Sequence, residues 1–321
     1  MKMLGRKLLG VLLAAIMLFE TMGLAMAATP GEKLADIERT AYGQPQTGAL
    51  LDRVNKLEKD FEGENAPTQN VMQRVDALYA TMFKNDNGPS LVTQLNAIEW
   101  AITRSVGTES IQKRVSEMEI TMTGAPSEGT YRNRIDTLAG YAFGTKELPL
   151  VKMEMPTNTL VKVSLVTPVN AKNIKVGDRI EVKAEEDVIE NGRLLFAKGA
   201  PGYGEVVKVR QAAVFGRDAE VQIEFKTLRT MDGTDVPMTL GEESKEKMQS
   251  MAYAAGASIA GIALLGPIGI IGGAFVKGKN VDLPAGTEIY IQTAAPATIY
   301  GLSTEEGVVK PTEEKTEKTG K

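Results

Sequence analysis

The chain has 321 residues, with 37 Lys+Arg against 41 Asp+Glu and neither Cys nor His. Disulfides, thiolate nucleophiles, Cys or His metal sites, a Ser-His-Asp triad and a histidine pH switch are therefore excluded. A net charge of −4 gives no reason to expect nucleic acid as a partner. Aromatics at 5% leave Val, Ile, Leu, Met and Ala to build the cores.

The first segment reads as an address. Lys2, Arg6 and Lys7 precede an apolar run over residues 8–19, and Ala25-Met26-Ala27 supplies small residues for cleavage. This is the three-part pattern of a secretory signal peptide over residues 1–27, cleaved after Ala27. The alternative is an uncleaved anchor, for which the run is short against the ~20 apolar residues a spanning helix needs. With no Cys after the signal, a lipid-anchored N-terminus is excluded. An exported chain without disulfides suits a bacterial envelope, in the periplasm or at the outer membrane.

Residues 28–147 carry six units of about 20 residues. Blocks beginning at Leu34, Val54, Val75, Leu95, Val115 and Ile135 are spaced 20, 21, 20, 20 and 20 apart. Each has apolar residues at positions 1 and 4, and Glu38, Glu58, Glu99 and Glu119 occupy position 5 in four of them. Arg53, Arg74, Arg114 and Arg134 stand immediately before position 1. A fixed period of this kind marks a repeat architecture. Leu50, Val54, Leu57 and Phe61 form a single helical stripe, with Arg53 and Glu58 off it toward solvent. Gly, Asn and Pro between the stripes end each helix at about 12–14 residues. Such helices need neighbours, so the array is expected to be a stack of helical hairpins or a small bundle. Its charged ladder is either a solvated spacer surface or a partner-binding face presenting the four arginines. Asp86-Asn87-Gly88 lacks the ligand series of a calcium loop.

Residues 148–158, with Pro149 and Pro156, read as a linker. From Thr159 the period becomes 2, through residues 160–166, 179–183, 203–209, 220–226 and 286–292. Gly177-Asp178, Asn191-Gly192, Lys198-Gly199 and Asp232-Gly233 punctuate these runs as turns. About seven short strands predict an antiparallel sandwich or barrel over 159–301. Gly204 within a strand marks a bulge or a close backbone contact.

Residues 251–276 contain no charge. Gly256, Gly261, Gly266, Gly269, Gly272 and Gly273 punctuate the stretch, and Gly269 with Gly273 makes a GxxxG pair of the kind that lets helix backbones approach closely. A helix starting near Glu242 and broken at Gly266-Pro267 predicts a helical hairpin over 242–277. Three roles are open to it: membrane insertion, contact between copies in a homo-oligomer, or packing as barrel core. These glycines are the candidate membrane or oligomer contacts.

The order of elements resembles the C-terminal barrel of the TrbI family, the outer-membrane channel subunits of type IV secretion systems. Carrying the resemblance are Gly177-Asp178 before a strand, Asp187-Val188 before Gly192, Lys198-Gly199-Ala200 with Gly204, Asp232-Gly233 before Val236-Pro237, and Pro284-Ala285-Gly286-Thr287 before a last strand. The resemblance implies a barrel whose inserted hairpin crosses the outer membrane within an oligomeric ring. The N-terminal repeats have no counterpart in it. The last residues, 302–321, are rich in Thr, Glu, Lys and Gly and are expected to be disordered.

Catalysis has little to draw on. Glu185, Glu186 and Asp187 sit on alternating strand faces, Lys162 and Ser164 lack a pocket, and Gly199 to Gly204 leads into a strand rather than a phosphate-binding helix. The expected protein is α+β and multidomain: an all-α repeat array, then an antiparallel sandwich or barrel with an inserted hairpin. It is expected to be a non-enzymatic envelope protein, structural or anchoring, with no cofactor or metal. The alternative is a soluble binding module for a protein or a cell-wall polymer, with Trp100 either in its core or on its binding face.

Overall fold

The computed structural model describes residues 28–66, 68–212, 218–255, 273–278 and 281–304, with side chains of 251–255 and 273–278 excepted. The expected signal peptide, the tail beyond Thr304, and Gly256, Gly261, Gly266, Gly269 and Gly272 lie outside the described residues.

Each repeat unit forms one helix of 13 residues: α1 (Pro30–Tyr42), α2 (Leu50–Glu62), α3 (Val71–Phe83), α4 (Leu91–Thr103), α5 (Ile111–Thr123) and α6 (Tyr131–Phe143). Local chemistry sets both ends. The side chains of Thr29, Asn70, Ser90, Ser110 and Thr130 each accept a hydrogen bond from the amide three residues on, which satisfies a donor the helix leaves free. Gly43, Gly63, Gly124 and Gly144 close four helices in the left-handed conformation that glycine adopts without a Cβ penalty. Positions 1 and 4 of the units are the core: Leu34, Ile37, Val54, Leu57, Leu95, Ile98, Val115, Met118, Ile135 and Leu138 are all buried. Of the two arrangements expected, the array is a bundle. Helix α1 packs on α3 and α5, α4 on α6, and α2 on α6, where the Phe61 and Tyr131 rings lie 5.0 Å apart.

The remainder is strand-rich. Strands β2 (Leu160–Leu165), β4 (Arg179–Ala184), β7 (Pro201–Arg210), β8 (Ala219–Arg229), β9 (Asp235–Thr239) and β12 (Glu288–Thr293) form an antiparallel ring in the order β8-β7-β4-β2-β12-β9. The ring closes where Thr227, Leu228 and Arg229 of β8 pair with Pro237, Val236 and Asp235 of β9. Its core is aliphatic, with Val161, Val163, Ile180, Val182, Val221 and Ile223 all pointing in. Gly204 fulfils both expectations. The β7–β8 register shifts beside it, and a Cβ there would lie 2.8 Å from Ile223 Cγ2 and 2.9 Å from the Glu224 carbonyl.

A second sheet, in the order β1-β13-β6-β5, combines β1 (Leu150–Met155), β5 (Val188–Glu190), β6 (Arg193–Phe196) and β13 (Ala297–Ser303). It faces both ways. Leu194 and Leu302 join the helical core, while Phe196 and Ile299 join the barrel core. Short strands β3 (Val169–Asn170) and β11 (Asp282–Leu283) pair separately.

Three expectations need correction. The linker at 148–158 contains β1, whose six residues pair with β13; the two prolines bound a strand rather than loosen a linker. Strand β13 lies beyond the last strand expected, and it takes Leu302 and Ser303 of the expected tail into the sheet. A helix begins where expected, as α7 (Glu242–Ala255), but residues 273–277, expected as part of a helical hairpin, lie in strand β10 (Gly273–Gly278). β10 continues along the β8 edge, Gly273 opposite Glu224 and Gly278 opposite Ala219.

Candidate functional site: the array–barrel junction

The four repeat arginines do not face solvent, and neither does Glu58. Each arginine binds the position-5 glutamate of the preceding unit. Arg53 holds Glu38 at 2.6 and 2.8 Å, Arg74 holds Glu58 at 2.5 and 2.8 Å, Arg114 holds Glu99 at 2.6 and 3.0 Å, and Arg134 holds Glu119 at 2.7 and 2.9 Å. Glu58 is 6% and Arg74 4% exposed. The remaining acceptor capacity of each carboxylate takes an amide eight residues on, donated by Gln46, Ala66, Gly107 and Ser127 at 2.8, 3.0, 2.9 and 2.9 Å. Asn55, Asn96 and Ser116 accept a further guanidinium hydrogen. One glutamate thus ties together its own helix, the following turn and the next helix.

The electrostatics follow from this. The Arg74 hydrogen bonds hold the Glu58 carboxyl below the usual range against the opposing effect of burial. Burial pulls Glu119 upward, but Arg134 and the Ser127 amide together outweigh it and the net direction is down. These pairs are internal cross-links, and the four guanidinium groups are engaged within the bundle.

The chain of pairs has one gap. Unit three has Tyr79 in the glutamate position and unit four has Gln94 in the arginine position; the two ends of the series, Lys33 in unit one and Ala139 in unit six, have no further unit to pair with. Beside this gap the array meets the barrel. Asp232, in the turn before β9, is the centre of the contact. Its carboxylate accepts from Thr230 Oγ1, the Thr234 amide, the Tyr300 amide and Asn85 Nδ2, while its carbonyl accepts from Asn85 Nδ2 and Thr93 Oγ1. Asn96 Nδ2 donates to the Met231 carbonyl at 3.0 Å. A second contact lies at Trp100, which is buried and donates from Nε1 to Asp187 at 2.8 Å; Asp187 also accepts the Lys198 amide. The Val106 amide donates to the Lys198 carbonyl at 2.9 Å. Gly199 sits against this loop at φ +88°, and a Cβ there would stand 2.6 Å from the Val106 carbonyl oxygen. Lys198-Gly199 and Asp232-Gly233, legible in the sequence only as turns, are thus also the barrel's contacts with the helices.

A cleft of about 950 Å³ opens beside the junction, between α1, α3 and the 106–109 loop on one side and the outer faces of β4, β7 and β8 on the other. Tyr79, Phe83, Tyr203, Arg39, Arg179 and Arg229 are among its lining. Of the groups weighed above for catalysis, residues 199–203 line the cleft, but Glu185, Glu186, Asp187, Lys162 and Ser164 do not. Ser164 donates to Glu185, and Lys162 pairs with Glu288 at 2.8 Å.

No family model matches the chain, and no curated protein matches it. Among solved structures it is similar to ComB10 of the Com type IV secretion system of Helicobacter pylori, at 13% identity over 45% of this chain and 89% of that one, with a TM-score of 0.25. At that TM-score the likeness carries no inference for this chain.

Proposed function

We propose that the protein is a non-enzymatic structural component of a bacterial envelope, in the periplasm or at the outer membrane, that acts through residues 256–272. The observation that supports this most directly is how the ends of that segment are fastened. On the entering side, Gln292 Oε1 on β12 accepts from the Ser244 amide and hydroxyl at 2.9 and 3.0 Å, and Met248 is buried in the barrel core. On the returning side, β10 is zipped along β8. The uncharged segment is therefore held at both ends by the barrel. Small residues at this spacing suit close helix packing in a membrane or between copies. In this reading the array, residues 28–147, and the barrel, 159–301, are two domains joined at the Asp232 contact. The array positions the barrel or meets an envelope partner, and the glycines from Gly256 to Gly273 are the contact residues.

The test is fractionation in the native cells with an alkaline carbonate wash. Alongside runs a variant in which 256–272 is replaced by a Gly-Ser stretch of equal length, leaving α7 and β10 in place. Retention of the parent in the washed pellet and release of the variant is the expected result. Release of both would remove the membrane role. Gly261→Leu and Gly269→Leu then report on oligomer mass; an unchanged mass in both removes the packing role.

A further inference from the structure

We propose that the cleft between the array and the barrel binds a segment of uncharged glycan. This goes beyond the anchoring role and stands or falls separately from it. Three observations carry it.

First, the walls are held at a set distance. The Asp232 contact and the Val106–Lys198 bond flank the opening, and Gly199 leaves no space for even a methyl group between loop and barrel. A volume of about 950 Å³ lies in the range of preformed ligand sites, so little ordering cost attends binding.

Second, the charges in the lining are already neutralised. Arg39 pairs with Asp36 at 2.6 Å, Arg229 holds Asp235 at 3.0 and 3.1 Å, and Arg179 lies 3.8 Å from Glu181. These three pairs present no net charge to an ionic ligand. A hydroxyl-rich neutral ligand meets both donors and acceptors as they stand, because each carboxylate and guanidinium keeps hydrogen-bonding capacity beyond its partner.

Third, the aromatic side chains are placed by a departure from the repeat. Position 5 is glutamate wherever the next unit supplies arginine. In unit three it is Tyr79, the next unit has Gln94 in the arginine position, and the Tyr79 ring packs 4.9 Å from Phe83 in the cleft wall. Tyr203 stands on the barrel side with the Arg179 guanidinium 3.6 Å from its ring centroid. Sugar rings combine flat C–H faces, which stack on aromatic rings, with a rim of hydroxyls, which suits a wall of paired charges.

The test is titration calorimetry of the purified chain with a hexamer of N-acetylglucosamine, a hexamer of glucose and an uncharged Gly-Ser peptide of similar length. We expect at least one hexasaccharide to bind with unit stoichiometry and to be insensitive to salt. The decisive variant is Tyr79→Glu with Gln94→Arg, which installs the missing cross-link as it removes the ring. It should unfold in urea no earlier than the parent and bind about tenfold more weakly. Tyr203→Ser, which does not touch the array, should weaken binding similarly, whereas exposed Tyr141→Ala, outside the cleft, should bind as the parent does. Binding of the peptide alone, no binding of either sugar at millimolar concentration, or equal binding by Tyr203→Ser and the parent would overturn the proposal.

Discussion

The helical array buries the glutamates of four Arg–Glu pairs among its short helices, whereas the barrel core is aliphatic, with Phe196 and Phe225 the only fully buried rings among its described residues. The difference follows from what each architecture leaves undetermined. Barrel strands are joined by backbone ladders, so closure and side-chain alternation define register together. Helices of 13 residues share no backbone hydrogen bonds with one another, and an apolar stripe can slide by a turn at little cost. The buried glutamate, bonded at once to the next turn's amide and the next helix's arginine, admits one register only. Buried ion pairs are weak sources of net stability because desolvation opposes the attraction. Their role here is to specify the arrangement.

The largest expected effect tests that division. Glu58→Ala leaves Arg74 buried and unpaired and should cost about 3–5 kcal/mol in urea unfolding, while Glu58→Leu with Arg74→Met should lie within about 1 kcal/mol of the parent or exceed it. A cost below about 1 kcal/mol for the single change would mean the array pairs behave like surface pairs, and the contrast with the barrel would collapse.

Next in size is the junction between the two regions. Gly177 and Gly199 have similar backbones, φ +91° and +88°, but a Cβ meets nothing within 4 Å at Gly177 and the Val106 carbonyl at Gly199. Alanine at Gly177 carries only the left-handed penalty of about 1–2 kcal/mol. At Gly199 the clash adds roughly 1–3 kcal/mol more. Equal losses would show that the helices and barrel are not pressed together at this turn.

Acid should separate the regions further. The Glu58 and Glu119 carboxyls titrate lower in the folded array than in the unfolded chain. Their contribution is therefore complete above the unfolded value, near 4.5, and is lost as pH falls through the lower folded values. Urea midpoints of the helical signal should decline below about pH 4.5, and Glu58→Gln should make that decline shallower. An identical pH slope in parent and variant would break the assignment.

Much of the fold was legible because periodicity reports it directly. Six helices, four of them with glycine stops, and the alternating strands β2, β4, β7, β8 and β12 followed from spacing alone. The errors have local causes. Pro149 and Pro156 suggested a linker, yet a proline at each end leaves the six residues between them free to pair. The charged positions of the array were assigned to solvent because a stripe argument treats each helix alone, and a pair between units has no signature within one helix. It does have one between units: arginine is present where the preceding unit has glutamate, and both are absent together at Tyr79 and Gln94. The junction left a fainter trace, since Asp232-Gly233 reads as any other turn until Asn85 and Thr93 are brought to it from far along the chain.

Adjacent residues on α5 give the smallest effect and the sharpest contrast. Lys113 and Arg114 carry the same charge, and each has a glutamate partner. Lys113 reaches Glu109 at 3.1 Å with both side chains more than half exposed, whereas Arg114 reaches Glu99 at 2.6 Å with both nearly buried. Water and salt screen the first pair, and holding two long side chains together costs entropy of similar size. Lys113→Ala should therefore leave the urea midpoint where it is, in low salt and high, while Arg114→Ala strands Glu99 and belongs with the large losses. If the two substitutions cost the same, burial does not decide the worth of an Arg–Glu contact in this array, and the register role assigned to the buried chain loses its physical basis.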